Sequence, residues 1–151
     1  MTSYWRFRFF LFWKLPAAFF SGVRIRSLDP ARCEATVPYK WFSQNPFRST
    51  YFACLAMAAE LSTGALSMAH LYKRVPAVSM LVVKMEAEYG KKATGITVFI
   101  CEEGLALKSA IEAAVQSGTG QQLTVTTTGR NEKGEEIARF RITWSFKAKQ
   151  A

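Results

Sequence analysis

One segment limits more than any other how this chain can fold: residues 45–71, NPFRSTYFACLAMAAELSTGALSMAHL. It is apolar or small on almost every side and holds a single carboxylate, Glu60. Ala56, Met57, Thr63 and Gly64 stand one helical turn away, so no basic residue is spaced to pair with it. No other acid occurs between Glu34 and Glu86. A carboxylate in such surroundings is either buried for a purpose or paired from afar. Ala53, Ala58, Ala59, Gly64 and Ala65 are small enough to let a sheet approach the helix axis closely, where a surface helix needs only one apolar stripe. Asn45-Pro46 can open the helix with Asn45 as N-cap; with Ser49 or Thr50 as the cap instead, Asn45 falls in the loop before it.

The flanking sequence supplies the wrapping layer. Residues 31–39 (ARCEATVPY) read as a short strand with Cys33, Ala35 and Val37 on one face, followed by a loop rich in aromatics, Tyr39, Trp41 and Phe42. Further strands are expected over 78–89, 93–101, 121–130 and 137–147. The last has the cleanest alternation, with Phe140, Ile142, Trp144 and Phe146 opposite Arg139, Arg141, Thr143 and Ser145. A helix over residues 4–20 stops near Gly22, and a short amphipathic helix over 105–117 stops at Gly118. Five strands and one long buried helix define an α+β domain with an antiparallel sheet curled around that helix. A single domain over 1–151 is expected, with a helical extension over 1–28 and the core over 30–148.

Charge and cysteine content narrow the function classes. The net charge is +9, yet the basic residues are dispersed and form no dense run, so a nucleic-acid partner is not expected. Three cysteines far apart, without C-x-x-C spacing, fit apolar thiols in a reducing, cytoplasmic setting better than a zinc or disulfide framework. His70 is the single histidine and no G-x-S-x-G elbow accompanies it, which argues against a metal site or a serine triad. No cofactor or metal is expected. The N-terminal run SYWRFRFFLFWKLPAAFF is aromatic and carries only positive charge, which admits a helix touching a membrane surface through residues 4–20. Arg6, Arg8, Lys14 and Pro16 interrupt it too often for a spanning helix.

Strand, Asn-containing loop, small-residue helix with a central acid, then four antiparallel strands: this order resembles the hotdog fold of the acyl-CoA thioesterase superfamily. It is most similar to the uncharacterised thioesterase-like DUF4442-type branch with the helix pattern S-x-Y-x-A-x-x-x-A-x-E-x-x-x-G. Ser49, Tyr51, Ala53, Glu60 and Gly64 match that pattern, and Met57 departs from it. The resemblance covers roughly residues 30–148 and makes the two extra helices additions to a five-stranded core.

The resemblance implies an acyl-CoA or acyl-carrier-protein thioester as substrate and a homodimer or higher homo-oligomer with sites at the subunit interface. Glu60 would be the catalytic base or nucleophile, and Asn45, fifteen positions ahead of it, would hold water or carbonyl oxygen. Ser79 would help position water, and the backbone N–H of Phe52 would serve the oxyanion. Tyr51 and Phe42 would bind the acyl chain. Where many members carry His-Gly-Gly at the helix start this chain has Tyr51-Phe52-Ala53, and a non-catalytic acyl-binding module is the second expectation. For Glu60 the plainer reading is a pair across a dimer interface, with an arginine or a backbone amide, that merely fixes the helix; for Asn45 it is a turn or cap residue.

Overall fold

The computed structural model describes residues 2–149, with side chains from Phe7 onward. The ends of the 1–151 span, and the side chains of Tyr4, Trp5 and Arg6 in the aromatic run, lie outside the described residues. A 20-residue helix α3, Phe52–Leu71, forms the centre. Cys54, Leu55, Ala58, Ala59, Leu61, Ala65 and Leu66 are all buried around it. It is the one described helix long and apolar enough to cross a membrane, and most of it is enclosed by the rest of the chain.

The enclosing sheet has six strands: β1 Arg24–Leu28, β2 Cys33–Pro38, β3 Val78–Tyr89, β4 Ile96–Cys101, β5 Gln121–Arg130 and β6 Glu136–Ala148. They pair antiparallel throughout, in the order β1-β2-β4-β5-β6-β3. The side-chain alternation read in β6 is realised: Phe140, Ile142, Trp144 and Phe146 face the core while Arg139, Arg141 and Lys147 face out.

The sixth strand corrects the five-stranded expectation. β1 falls where the sequence predicts a helical extension, in a stretch, RIRSL, whose one inward side chain is Ile25 and whose arginines face out. A charged, bulged strand suits a sheet edge, because it discourages pairing with another chain. It leaves little hydrophobic signal to read.

The N-terminal helix is also two helices, α1 Thr2–Lys14 and α2 Pro16–Ser21. Pro16 has no N–H to continue the first helix and instead opens the second at its first position. Gly22 closes α2 in the left-handed region, φ +82°, its N–H donating to the carbonyls of Ala18 and Phe19. The expected strand over 93–101 starts only at Ile96, because Ala93 is buried in a loop where its carbonyl accepts the Thr50 N–H at 2.8 Å.

Helix α4, Gly104–Ser117, covers the place where β4 and β5 part. Their register ends at Ile100↔Thr128, and the next outward N–H on β5, that of Thr126, donates to the Glu103 carboxylate at 2.6 Å. A side chain replaces the missing strand partner there.

Candidate active site

The middle of α3 is polar in an otherwise apolar interior, and each hydroxyl there is satisfied. Ser62 donates to the Ala59 carbonyl at 2.7 Å and pairs with the Thr127 hydroxyl at 2.8 Å. Thr63 donates to the Glu60 carbonyl at 3.0 Å and accepts the indole N–H of Trp144, also at 3.0 Å. Ser67 donates to the Thr63 carbonyl. These bonds fix the turn that carries Glu60 against β6.

Glu60 is half-buried, and no side chain among the described residues ion-pairs or hydrogen-bonds its carboxylate. Burial alone pushes its pKa up from the ordinary glutamate value. The carboxylate lies over Gly64: a Cβ at that position would stand 3.0 Å from Oε1 and 3.3 Å from the Trp144 ring. Glycine is thus the residue that leaves the acid its place. In front of Glu60 opens a cleft of about 220 Å³ lined by Lys14, Leu15, Pro16, Ala17, Ala18, Met57 and Leu61. The roof of this cleft is the junction of α1 and α2.

Asn45 stands elsewhere, in the loop before the helix. Its side-chain Oδ1 accepts the Phe47 N–H at 2.9 Å and both the N–H and hydroxyl of Ser49 at 3.2 Å. This arrangement holds a tight turn in which Arg48 takes a positive φ of 58°. Helix α3 starts seven residues later, after an N-cap Tyr51 whose side chain makes no capping bond. The N–H groups of Phe52 and Ala53 consequently meet no acceptor among the described residues. Asn45, Ser49, Thr50, Phe52, Leu55, Tyr89, Lys91 and Lys92 line a second, open cleft of about 410 Å³. Phe52 is half-exposed there, its ring edge-on to Tyr51 and Tyr89.

The two clefts share no lining residue. Glu60 lies eight positions beyond Phe52 on the helix, about 12 Å along the axis. Within one chain, therefore, Asn45 and the Phe52 N–H come together while Glu60 stays apart from both. Ser79 lines neither cleft; on the outer strand β3 its hydroxyl donates to the Lys147 carbonyl at 3.1 Å. Phe42 sits against Phe20 of α2, ring centres 6.0 Å apart, and Tyr51 flanks the second cleft through its contact with Phe52. His70 contacts the Pro30 carbonyl at 2.9 Å at the helix end. Trp144 and Lys14–Ala18, which shape the surroundings of Glu60, carry no sequence signal linking them to it. Gly64 does, by standing one turn away. No group of three or more His, Cys, Asp or Glu side chains suited to a metal occurs among the described residues.

An antiparallel sheet wrapped around one long helix is the hotdog fold. The chain belongs to the family described as "Domain of unknown function (DUF4442)", whose pattern it matches over residues 5–146. The match takes in α1, α2 and β1 as well as the core. Among solved structures, a Pseudomonas aeruginosa protein of unknown function described as "Probable Thioesterase" is 19% identical, with a TM-score of 0.80 and 95% of each chain covered. A Chlorobaculum tepidum protein of unknown function is 16% identical, with a TM-score of 0.81, covering 95% of this chain and 93% of the other. A Haemophilus influenzae thioesterase is 12% identical, with a TM-score of 0.68, covering 97% and 91%. At these identities the likeness is one of fold. No curated protein matches the chain in sequence.

Proposed function

We propose that the protein hydrolyses an acyl thioester carried on coenzyme A or an acyl carrier protein, with Glu60 as the base. The observation that carries this reading is Glu60 itself: a carboxylate without a partner, desolvated, held beside Gly64 and open to a cleft. Within the chain, no cation among the described residues pairs with it. Desolvation raises proton affinity and makes the carboxylate a stronger base than an exposed glutamate.

In the proposed step, Glu60 takes a proton from water as the water oxygen adds to the thioester carbonyl. The negative charge that develops on the carbonyl oxygen is met by the Phe52 N–H and the positive end of α3. Collapse of the adduct breaks the carbon–sulfur bond, and the departing thiolate takes the proton back from Glu60. The products are a carboxylic acid and a free thiol.

In this reading the site is shared between two copies. An oxyanion at Phe52 is about 12 Å from the Glu60 of its own chain, too far for one water to bridge. Two chains joined at the free edge of β3 would extend the sheet and set the start of one α3 opposite the middle of the other. Leu81, Val83 and Met85 are exposed on that edge strand, which fits an interface. Asn45 and Phe52 of one copy would then act with Glu60 of the second. Lys92 at the rim of the Asn45 cleft, where its ammonium reaches the Phe47 carbonyl at 3.2 Å, suits the phosphates of coenzyme A. Ser79, Tyr51 and Phe42 hold supporting places in this reading: Ser79 on the joining strand, the two aromatics beside the acyl path.

A cytoplasmic setting fits the thiols. Cys33 and Cys101 face each other across β2 and β4, buried and unlinked, and burial pushes their pKa values up to about 12 and about 11.

A specific observation favours a second reading, a binding module without turnover: the Phe52 side chain stands at the helix start where glycine would give the carbonyl closer access. One experiment separates the two. Thiol release from a panel of acyl-CoAs of increasing chain length, abolished in Glu60→Ala, is the expected result. Saturable acyl-CoA binding with no thiol released at any chain length would establish the module instead.

A further inference from the structure

Helices α1 and α2 present a surface that the interior does not use. Leu11 and Ala18 are buried, while Phe9 and Trp13, one turn apart, are each 69% exposed. Phe12 lies edge-on to Phe20 at 6.2 Å, Phe20 reaches Phe42 at 6.0 Å, and Phe42 meets Trp41, which is 81% exposed. Phe12, Phe20, Phe42 and Trp41 form one connected run across three elements of the chain, with Phe9 one turn before Phe12 on α1 and Trp13 next to it.

The charge around this patch has one sign. Residues 1–28 contain five Lys and Arg and no Asp or Glu; the first acid is Asp29. Lys14, Arg24 and Lys40 are exposed and enter no salt bridge among the described residues. Arg24 and Lys40 line a cleft of about 190 Å³ together with Phe19 and Phe20, so cations and aromatics meet at its walls.

We infer that this face docks on an anionic lipid membrane, aromatics entering the interfacial layer and Arg24, Lys40 and Lys14 meeting lipid phosphates. Aromatic rings favour that layer, and each basic residue near an anionic leaflet adds attraction that salt weakens. A second copy is the poorer occupant, because pairing this face with itself would set cation against cation, with only the half-buried Glu60 of the Lys14 cleft as an acid beside them. The helices lie on the membrane and do not cross it: α1 has 13 residues, about 20 Å of helix against a hydrocarbon core of about 30 Å.

Docking also sets the orientation of the candidate site. Lys14 and Leu15, adjoining Trp13, line the Glu60 cleft, so docking would bring the cleft beside the lipid boundary. The docking surface stands whether or not thioesters are hydrolysed there.

Co-sedimentation of the full-length protein with vesicles of phosphatidylcholine alone, and of phosphatidylcholine with phosphatidylglycerol, tests the inference. The expected result is binding to the anionic vesicles only, weakened by salt, and at least ten-fold weaker in the double variant Phe9→Ser/Trp13→Ser. The Arg24→Glu/Lys40→Glu variant, with both changes on exposed side chains, is expected to lose binding likewise. Thermal melting of both variants close to the native protein's, and unchanged turnover of a short-chain acyl-CoA in solution, would separate lost docking from lost folding or lost catalysis. Native protein left in the supernatant with anionic vesicles would overturn the inference, as would equal binding by folded variants. A native oligomer that dissociates in Phe9→Ser/Trp13→Ser would also overturn it, by showing that a second copy covers the face.

Discussion

At the scale of single residues, the Glu60 carboxylate is held in place by what is missing around it. Gly64 has no side chain to occupy its space, and no cation among the described residues pairs with it. Burial therefore costs the ionised form, and that cost has a pH signature. In the unfolded chain Glu60 ionises at the ordinary value, about 4.3. In the folded chain it ionises later. The unfolded state loses its proton first, so this residue lowers native stability as pH rises through the interval between the two values, and the loss persists above it. Glu60→Gln removes the effect. Its urea midpoint should exceed the native protein's at pH 8, and the excess should shrink to its smallest below about pH 4. An equal difference at both pH values would mean that the carboxylate is not desolvated in the folded state. Asn45 illustrates the opposite case. Its Oδ1 is used in holding the turn before α3, as the plainer sequence reading has it, and the catalytic role remains part of the proposed function.

At the scale of elements, the contact between α3 and β6 positions the acid. The Trp144 indole donates to Thr63, whose hydroxyl donates to the Glu60 carbonyl, so one side chain from the sheet braces the turn of helix that matters. Trp144→Phe should cost about 1–3 kcal/mol, from the lost hydrogen bond and the space left by the smaller ring. A urea titration with unchanged slope and a lower midpoint would show it; an unchanged midpoint would contradict the brace. Both partners are legible in the amino-acid sequence. The small and apolar composition of α3 and the strict alternation of β6 mark them out, because each buries a whole face and burial leaves a periodic trace. β1 leaves almost none, since an edge strand that buries only Ile25 has no pattern to show. The break at Pro16 is visible as a residue but not as a boundary, because the aromatic run continues unchanged on both sides. Glu60 and Asn45 can be picked out singly; their separation into two clefts depends on where the helix starts, and nothing caps α3 by side chain to mark that point.

At the scale of the whole molecule, one chain carries two separate clefts, which the proposed reading takes as two halves of a site. One end of α3 offers Asn45, the Phe52 N–H and Lys92; its middle offers Glu60 beneath the α1–α2 junction. The fold makes this division unavoidable, because a straight helix cannot bring its first turn to its third. In the proposed reading a two-fold pair of chains would cross the halves, and the free β3 edge is where such a pair would join. The N-terminal helices would then bring both Glu60 clefts beside lipid. The central claim, that Asn45 of one chain works with Glu60 of another, is tested by mixing the inactive variants Asn45→Ala and Glu60→Gln under conditions that exchange subunits and following thiol release from acyl-CoA. The account predicts recovery to about a quarter of native activity, since half the pairs are mixed and each mixed pair rebuilds one intact site. Exchange of subunits with no recovery, or full activity in Asn45→Ala alone, would contradict it.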